Sequence, residues 1–292
     1  MGPGEKIYVS NDASPGVHAY SPGAPDGNYE DTVTVYAAGA RGNVAPVATI
    51  DGIDTGLGDP QGIAVDSGGR IYVTNRSGYD GKTVDSHGAY QHWQSITVYA
   101  ADANGDAAPI ATIKGAQTGL TDPNGVTVGP DKRIYVAMSE VASSDQPGAI
   151  AIYQANSNGD VKPSTTITDA GAVTELCDPT GISLDSTGRI YVANRGSGGS
   201  VTVYASGTDH NAAPIFTIAD RKTRLSRPSG LALDAQKNIY VVSQSSGDNG
   251  IGSVSVFAAG GTGDMPPDSI ISLATNQWPT AMTTDADGDM YV

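Results

Sequence analysis

The sequence predicts an all-β chain of four-stranded antiparallel sheets, a β-propeller of five or six blades. Three observations carry this. Glycine (38) and proline (17) are abundant among 292 residues, against only 2 Phe and 2 Trp. An Ile-Tyr-Val type triplet returns six times, and the same order of Pro, Gly and alternating β-branched residues surrounds it. Such a composition excludes helical bundles and coiled coils, and a unit that recurs roughly every 50 to 60 residues marks a radially repeated architecture.

The first strand of each unit, a, follows a proline: Pro60 to Asp66, Pro123 to Val128, Pro179 to Asp185, Pro228 to Asp234 and Pro279 to Asp285. Strand b is the triplet, at Ile7-Tyr8-Val9, Ile71-Tyr72-Val73, Ile134-Tyr135-Val136, Ile190-Tyr191-Val192, Ile239-Tyr240-Val241 and Met290-Tyr291-Val292. Turns such as Ser67-Gly68-Gly69 and Ser186-Thr187-Gly188 join a to b as hairpins. Strand c ends at Tyr36, Tyr99, Tyr153, Tyr204 or Phe257 after β-branched alternation, and strand d runs from a second proline to Ile50, Ile113, Ile167, Ile218 or Ile271. Period-2 patterning supports all four as strands. Small residues in strand a suit a crowded centre, and the tyrosines of b and c supply bulk between blades. Strands a, c and d occur five times and b six, making 21 strands. Either the two ends share a blade or the chain is a piece of a longer ring. The expected organisation is one domain over 1–292, with units at about 1–50, 60–113, 123–167, 179–218, 228–273 and 279–292.

The run Pro-x-Gly-Ile-(Ala/Ser)-(Val/Leu)-Asp-x-x-Gly-x-Ile-Tyr-Val-x-Asn at 60–75 and 179–194 resembles the NHL repeat, and Ile71-Tyr72-Val73-Thr74-Asn75 is also similar to the YVTN repeat of bacterial propellers. The resemblance implies the fold. It leaves function open, because similar propellers serve as binding scaffolds, surface-layer components, lyases and lactonases.

In such a blade the b-to-c and d-to-a connections leave from one end of the sheet, and the a-to-b and c-to-d connections from the other. The second group is short and alike, as in Asp102-Ala103-Asn104-Gly105-Asp106 and Asn156-Ser157-Asn158-Gly159-Asp160. The b-to-c loops differ: 10–31 and 74–94 are long, 137–148 intermediate and 193–200 short. Ten of the 14 Tyr occupy repeated strand positions, and the other four, Tyr20, Tyr29, Tyr79 and Tyr90, lie in the two long loops. Trp93, His18, His87 and His92 lie there too, and Trp278 lies in the last d-to-a loop. An aromatic and imidazole cluster at one end is the expected ligand surface; packing of the long loops on themselves is the alternative.

Two chemistries fit that cluster. Aromatic faces beside Asp, Asn and His suit a carbohydrate ligand or a protein partner. Alternatively His18, His87 and His92 hold Zn²⁺, as His-bound metal does in lyases with NHL-like propellers, and the chain is then a metal-dependent lyase or lactonase. Two sets of carboxylates, Asp59, Asp122 and Asp178 before strand a and Asp66, Asp185, Asp234 and Asp285 after it, are read either as Ca²⁺ ligands or as turn residues accepting backbone N–H bonds. No Gly-x-Ser-x-Gly, phosphate-binding loop, His-Glu-x-x-His or paired-cysteine motif occurs. The single Cys177 stands where other units have Gly58, Thr121 or Ser226, and reads as an incidental thiol.

Sixteen Lys and Arg against 31 Asp and Glu give a net charge of −15. That argues against nucleic acid as a partner. No apolar run has the roughly 18 residues of a membrane helix, and no secretory signal is visible at Met1-Gly2-Pro3-Gly4-Glu5-Lys6. The reading is a binding or interaction scaffold, extracellular or at a bacterial cell surface, working through the end that carries the long loops; a structural module of a surface protein is the remaining alternative.

Overall fold

The computed structural model describes residues 6–12, 31–78, 93–139, 148–168, 173–196, 198–244, 252–273, 279–285 and 288–292. Its contacts divide the chain into two compact units, Met1–Pro123 with Asn156–Lys162, and Asn124–Ala155 with Pro163–Val292. In the first unit β1 (Ile7–Asn11), β2 (Thr32–Tyr36) and β3 (Ala48–Ile50) form a three-stranded sheet. Beside it stand β4 (Pro60–Val65), β5 (Ile71–Gly78), β6 (Trp93–Tyr99) and β7 (Ala111–Lys114), four strands in chain order.

The second unit repeats that four-stranded sheet three times. The strands are β8 (Pro123–Val128, Pro123 itself belonging to the first unit), β9 (Ile134–Met138), β10 (Ala149–Tyr153) and β11 (Thr165–Thr168); then β12 (Pro179–Leu184), β13 (Ile190–Asn194), β14 (Ser200–Tyr204) and β15 (Phe216–Ile218); then β16 (Pro228–Leu233), β17 (Ile239–Ser243), β18 (Ser253–Phe257) and β19 (Ser269–Ser272). A last pair, β20 (Thr283–Thr284) and β21 (Met290–Tyr291), forms its own two-stranded sheet. Neighbouring strands within each sheet pair antiparallel, as the a-b-c-d reading requires. The fold is an all-β propeller of four-stranded blades.

The apolar core lies between sheets, as the sequence indicates. Ile150, Ile152 and Ile167 of one sheet meet Ile182, Ile190 and Val192 of the next. Val201, Val203 and Ile218 likewise meet Leu231, Ile239 and Val241. Tyr99, Tyr153, Tyr191, Tyr204 and Phe257 are fully buried, which is how a core with so few Phe and Trp is filled.

The Pro-x-Gly opening of strand a has a specific use. Pro lacks an N–H and is tolerated only where the ladder begins. The next residue is an extra one: pairing passes from Pro179↔Asn194 to Gly181↔Ala193, and from Pro228↔Ser243 to Gly230↔Val242, so Thr180 and Ser229 are bulged out of register. Both side chains bond the next repeat, Thr180 Oγ1 donating to the Pro228 carbonyl at 2.9 Å and Ser229 Oγ to that of Pro279 at 2.7 Å; Asn124, which likewise follows the proline of its strand, donates from Nδ2 to the Pro179 carbonyl at 3.3 Å. The glycine that follows lets the backbones touch. A Cβ on Gly181 would lie 2.8 Å from Gly230 Cα, and one on Gly125 would lie 2.6 Å from the Thr180 carbonyl oxygen.

The c-to-d loops act at the outer side as clips. Gly105 bridges Ile50, Gly159 bridges Ile113 and Gly263 bridges Ile218, each in parallel. The residue before the first two glycines, Asn104 or Asn158, accepts the Thr49 or Thr112 amide through Oδ1, at 2.9 Å in both cases. The residue after the glycine is an aspartate whose Oδ1 accepts one more amide, Asp54 for Asp106, Gln117 for Asp160 and Lys222 for Asp264, each at 2.7 Å. The turn-like Asn-Gly-Asp segments are therefore joints between sheets, a role that their turn propensity did not announce.

Gly181→Ala is expected to lower stability by about 2 kcal/mol or more, because its Cβ meets backbone that cannot rotate away. Gly119→Ala, at a positive φ of 67° with open space around it, is expected to cost only about 1 kcal/mol. Thermal or urea unfolding of the two variants measures the difference.

Candidate functional site

The end of the sheets that carries the b-to-c and d-to-a connections is built on two recurring devices. In the d-to-a loop a Thr-x-Leu segment turns the chain into strand a. Thr55, Thr118, Thr174 and Thr223 are buried, and the residue after each has a positive φ: Gly56, Gly119, Glu175 and Arg224. Thr55 Oγ1 donates to the Gly52 carbonyl at 2.7 Å and accepts the Leu57 amide at 3.2 Å. The Tyr99 hydroxyl then donates to the Thr55 carbonyl at 2.7 Å, and the Tyr204 hydroxyl does the same to Thr174. Sequence reasoning missed this repeat, although Thr-x-Leu two residues before each x-Pro pair is a visible signal.

The second device is an asparagine at the end of strand b. Asn75 Oδ1 accepts the Gly58 amide at 3.2 Å, while Nδ2 donates to Val73 O, Ser95 Oγ and Thr97 Oγ1 at 3.3, 3.3 and 3.1 Å. Asn194 repeats the set with the Cys177 amide, Val192, Ser200 and Thr202. One carboxamide thus ties strands b and c to the loop ahead of strand a. Cys177 is placed here by its backbone, and its side chain is half-buried.

Above that asparagine the second sheet departs from the others. Strand β5 has 8 residues and β6 has 7, where β9, β10, β13, β14, β17 and β18 have 5 each. The ladder continues past Asn75↔Ser95 through a register shift to Gly78↔Trp93. Arg76 and Ser77 donate their amides to the Asp59 and Gly58 carbonyls, both at 3.2 Å, which anchors the extension. Part of the long loop expected at 74–94 is therefore strand. Trp93, expected in a loop, opens β6 and is half-buried, with Lys114 Nζ 4.3 Å from its ring centroid. The cation lies over the π face, an attractive arrangement. The other expected site residues, Tyr20, Tyr29, Tyr79, Tyr90, Trp278, His18, His87 and His92, lie outside the described residues.

Both carboxylate sets have turn and pairing roles. Asp59, Asp122 and Asp178 have left-handed φ of 49°, 43° and 51°, a conformation that aspartate tolerates; Arg227 takes the same place in the next repeat with φ 50°. Asp122 pairs with Arg76 Nε at 2.8 Å, Asp178 pairs with Arg195 Nε at 2.6 Å, and Gln61 Nε2 donates to Asp59 Oδ1. At the opposite end Asp66 accepts the Gly68 and Arg70 amides, Arg70 Nε and the Tyr72 hydroxyl. Asp234 accepts the Asn238 amide and side chain and the Tyr240 hydroxyl, and Asp285 the Asp289 amide and the Tyr291 hydroxyl. Among the described residues, no three His, Cys, Asp or Glu side chains converge as an ion would need.

Asp185 is the most perturbed acid. Burial acts to raise its pKa, but hydrogen bonds from Thr187 Oγ1, Lys237 Nζ and the Arg189 and Thr187 amides outweigh that and bring it down to about 2. Burial first, and then the Asp66 carboxylate, push Tyr72 up to about 12 against the opposing pull of Arg70. These shifts belong to turns and not to a reacting centre.

Residues 57–78 and 176–204 match the NHL repeat model. No curated protein matches the chain. Among solved structures, a glucose-dehydrogenase-like oxidoreductase from Thermus thermophilus is similar at 15% identity and a TM-score of 0.52, over 88% of this chain and 83% of that one. The WD40 β-propeller domain of Doa1 follows at 11% identity and 0.48, over 89% and 81%. At 15% identity the first likeness is one of fold.

Because Asp185 has its pKa lowered by folding, its contribution is present above about pH 4 and is lost as pH falls towards 2. It amounts to roughly 2 kcal/mol. Asp185→Asn should flatten the acid limb of a stability-against-pH profile in that window and leave the profile above about pH 5 parallel to the parent. The two segments that match the NHL repeat fall in the second and fourth of the repeating units, and the fold that carries them is a β-propeller.

Proposed function

We propose that the chain is a non-catalytic binding module that takes a carbohydrate or a protein loop at the end of the sheets from which β5 and β6 project, in an extracellular or cell-surface setting. The observation that carries this reading is the extended β5–β6 hairpin. Among the described four-stranded sheets it is the one departure from five-residue b and c strands, and it sets a half-buried indole beside an ammonium group at the foot of segment 79–92. A projecting hairpin with an aromatic at its base adds nothing that the repeated core lacks, which favours a role outside the core. The opposite end is occupied by the aspartate turns and Asn-Gly-Asp clips. Tyr79, His87, Tyr90 and His92, carried by the segment between the two strands, would supply the rest of the contact surface, with His18, Tyr20 and Tyr29 from the β1–β2 connection.

The test uses the full chain on a glycan array and as bait for bacterial surface proteins, with hits retested by titration against Trp93→Ala. The variant should keep its melting temperature within about 3 °C, since only half of the ring is buried, and should lose at least about tenfold in affinity. Equal binding by the variant would remove this end from consideration. Stoichiometric zinc in the purified protein, lost together with an activity on chelation, would favour a metal-dependent lyase or lactonase at His18, His87 and His92 instead.

A further inference from the structure

One slot recurs in every blade that has strands b and c, and its occupants differ within this single chain in a way that exposes a site. The slot is bounded by the last residue of strand b, its partner at the start of strand c, and the residue two further along c. In three sheets a carboxamide fills it between two hydroxyls: Asn11 with Thr32 and Thr34, Asn75 with Ser95 and Thr97, Asn194 with Ser200 and Thr202. In the β8–β11 sheet a thioether fills it between two methyl groups: Met138 faces Ala149, with Ala151 next along the strand, and all three are buried. Each solution is self-consistent, a long polar side chain with polar walls or a long apolar one with apolar walls.

The β16–β19 sheet has polar walls and no long side chain. Ser243 pairs with Ser253, and Ser255 lies two residues on, in the register of the other sheets. Their exposures are 0%, 1% and 1%, and none of the three hydroxyls has a hydrogen-bond partner among the described residues. Relative to Asn75 with Thr97, Ser243 and Ser255 together lack three heavy atoms, enough to accommodate the roughly 30 Å³ that one water molecule occupies. A buried water typically makes about three hydrogen bonds to polar groups that would otherwise lack partners. Three inward hydroxyls, each able to donate and accept, meet that requirement.

We propose that Ser243, Ser253 and Ser255 form an internal hydration site, in which one tightly held water bridges strands β17 and β18 in place of the carboxamide used by Asn11, Asn75 and Asn194. The water joins the two strands at the end of the sheet that carries the b-to-c connection.

A high-resolution crystal structure of the full chain tests this directly. The expected result is one ordered density peak within about 3.2 Å of all three Oγ atoms. In Ser243→Asn the carboxamide should replace that peak, ¹⁷O relaxation dispersion should count one fewer long-lived water, and the melting temperature should rise by about 2 to 4 °C. Wild-type density with no peak between the hydroxyls, or a long-lived water count unchanged in a folded Ser243→Asn protein, overturns the proposal.

Discussion

A glycine two residues after a proline sets the distance between neighbouring sheets in the second unit, and much else depends on that distance. With Gly181 Cα close to Gly230 Cα, the innermost strands pack backbone on backbone, nearer than any side chain allows. The hydroxyls of Thr180 and Ser229 can then reach carbonyl oxygens on the neighbouring strand, at 2.9 and 2.7 Å. Were the sheets held apart by a methyl group, those carbonyls would be buried without partners, at a cost comparable to the bonds now made. The proline completes the arrangement: it stands at the first pair of the ladder, where a missing N–H is tolerated, and the residue after it is bulged out of register towards its neighbour.

The outer side solves a different problem. There side chains carry the contact, as Tyr204 does where it is buried in the cluster between two sheets. Direct backbone contact is restored only by sending a loop across. Gly105, Gly159 and Gly263 do this, each at a positive φ, and the flanking Asn and Asp carry bonds that a two-residue bridge cannot make alone. Gly52 and Gly115 adopt φ of 123° and 131° and leave room for the Asp106 and Asp160 side chains. The inner and outer joints therefore use the same residue type for opposite reasons, close approach in one and unusual backbone geometry in the other.

The fold is legible in the sequence because the strands repeat and their period-2 pattern repeats with them. The 21 strands expected match the 21 found among the described residues. The joints are less legible. Asn-Gly-Asp and Asp-x-x-Gly look alike as turn formers, yet the first binds across sheets and the second closes its own hairpin through Asp66 or Asp185. Propensity describes a residue's local conformation and says nothing of which amide its side chain will find. Trp93 stands out in the sequence because it breaks the repeat; its place in a strand depends on three extra residues of β5, Arg76-Ser77-Gly78, of which Gly78 pairs with it and none is β-branched. The serine slot is half visible in the sequence: Ser243 stands two residues after its Ile-Tyr-Val triplet as Asn75 and Asn194 do after theirs, but only strand register brings Ser253 opposite it.

Repetition also explains where function must be sought. A residue that recurs from unit to unit is constrained by the joint it makes, and Asp66, Asp185, Asp234 and Asp285, in four of the five a-to-b turns, illustrate this: the same carboxylate meets the same amide and, three times, the same tyrosine hydroxyl. Such groups have their lone pairs engaged and their charge stabilised, which leaves little affinity for an added ion. Specific recognition needs groups that differ from one unit to the next, because a repeated surface presents the same chemistry several times over and distinguishes no single ligand. In this chain that asymmetry is concentrated in the b-to-c connections. The long β5–β6 hairpin is the structural expression of it, rising from a sheet whose lower half is indistinguishable in pattern from its neighbours.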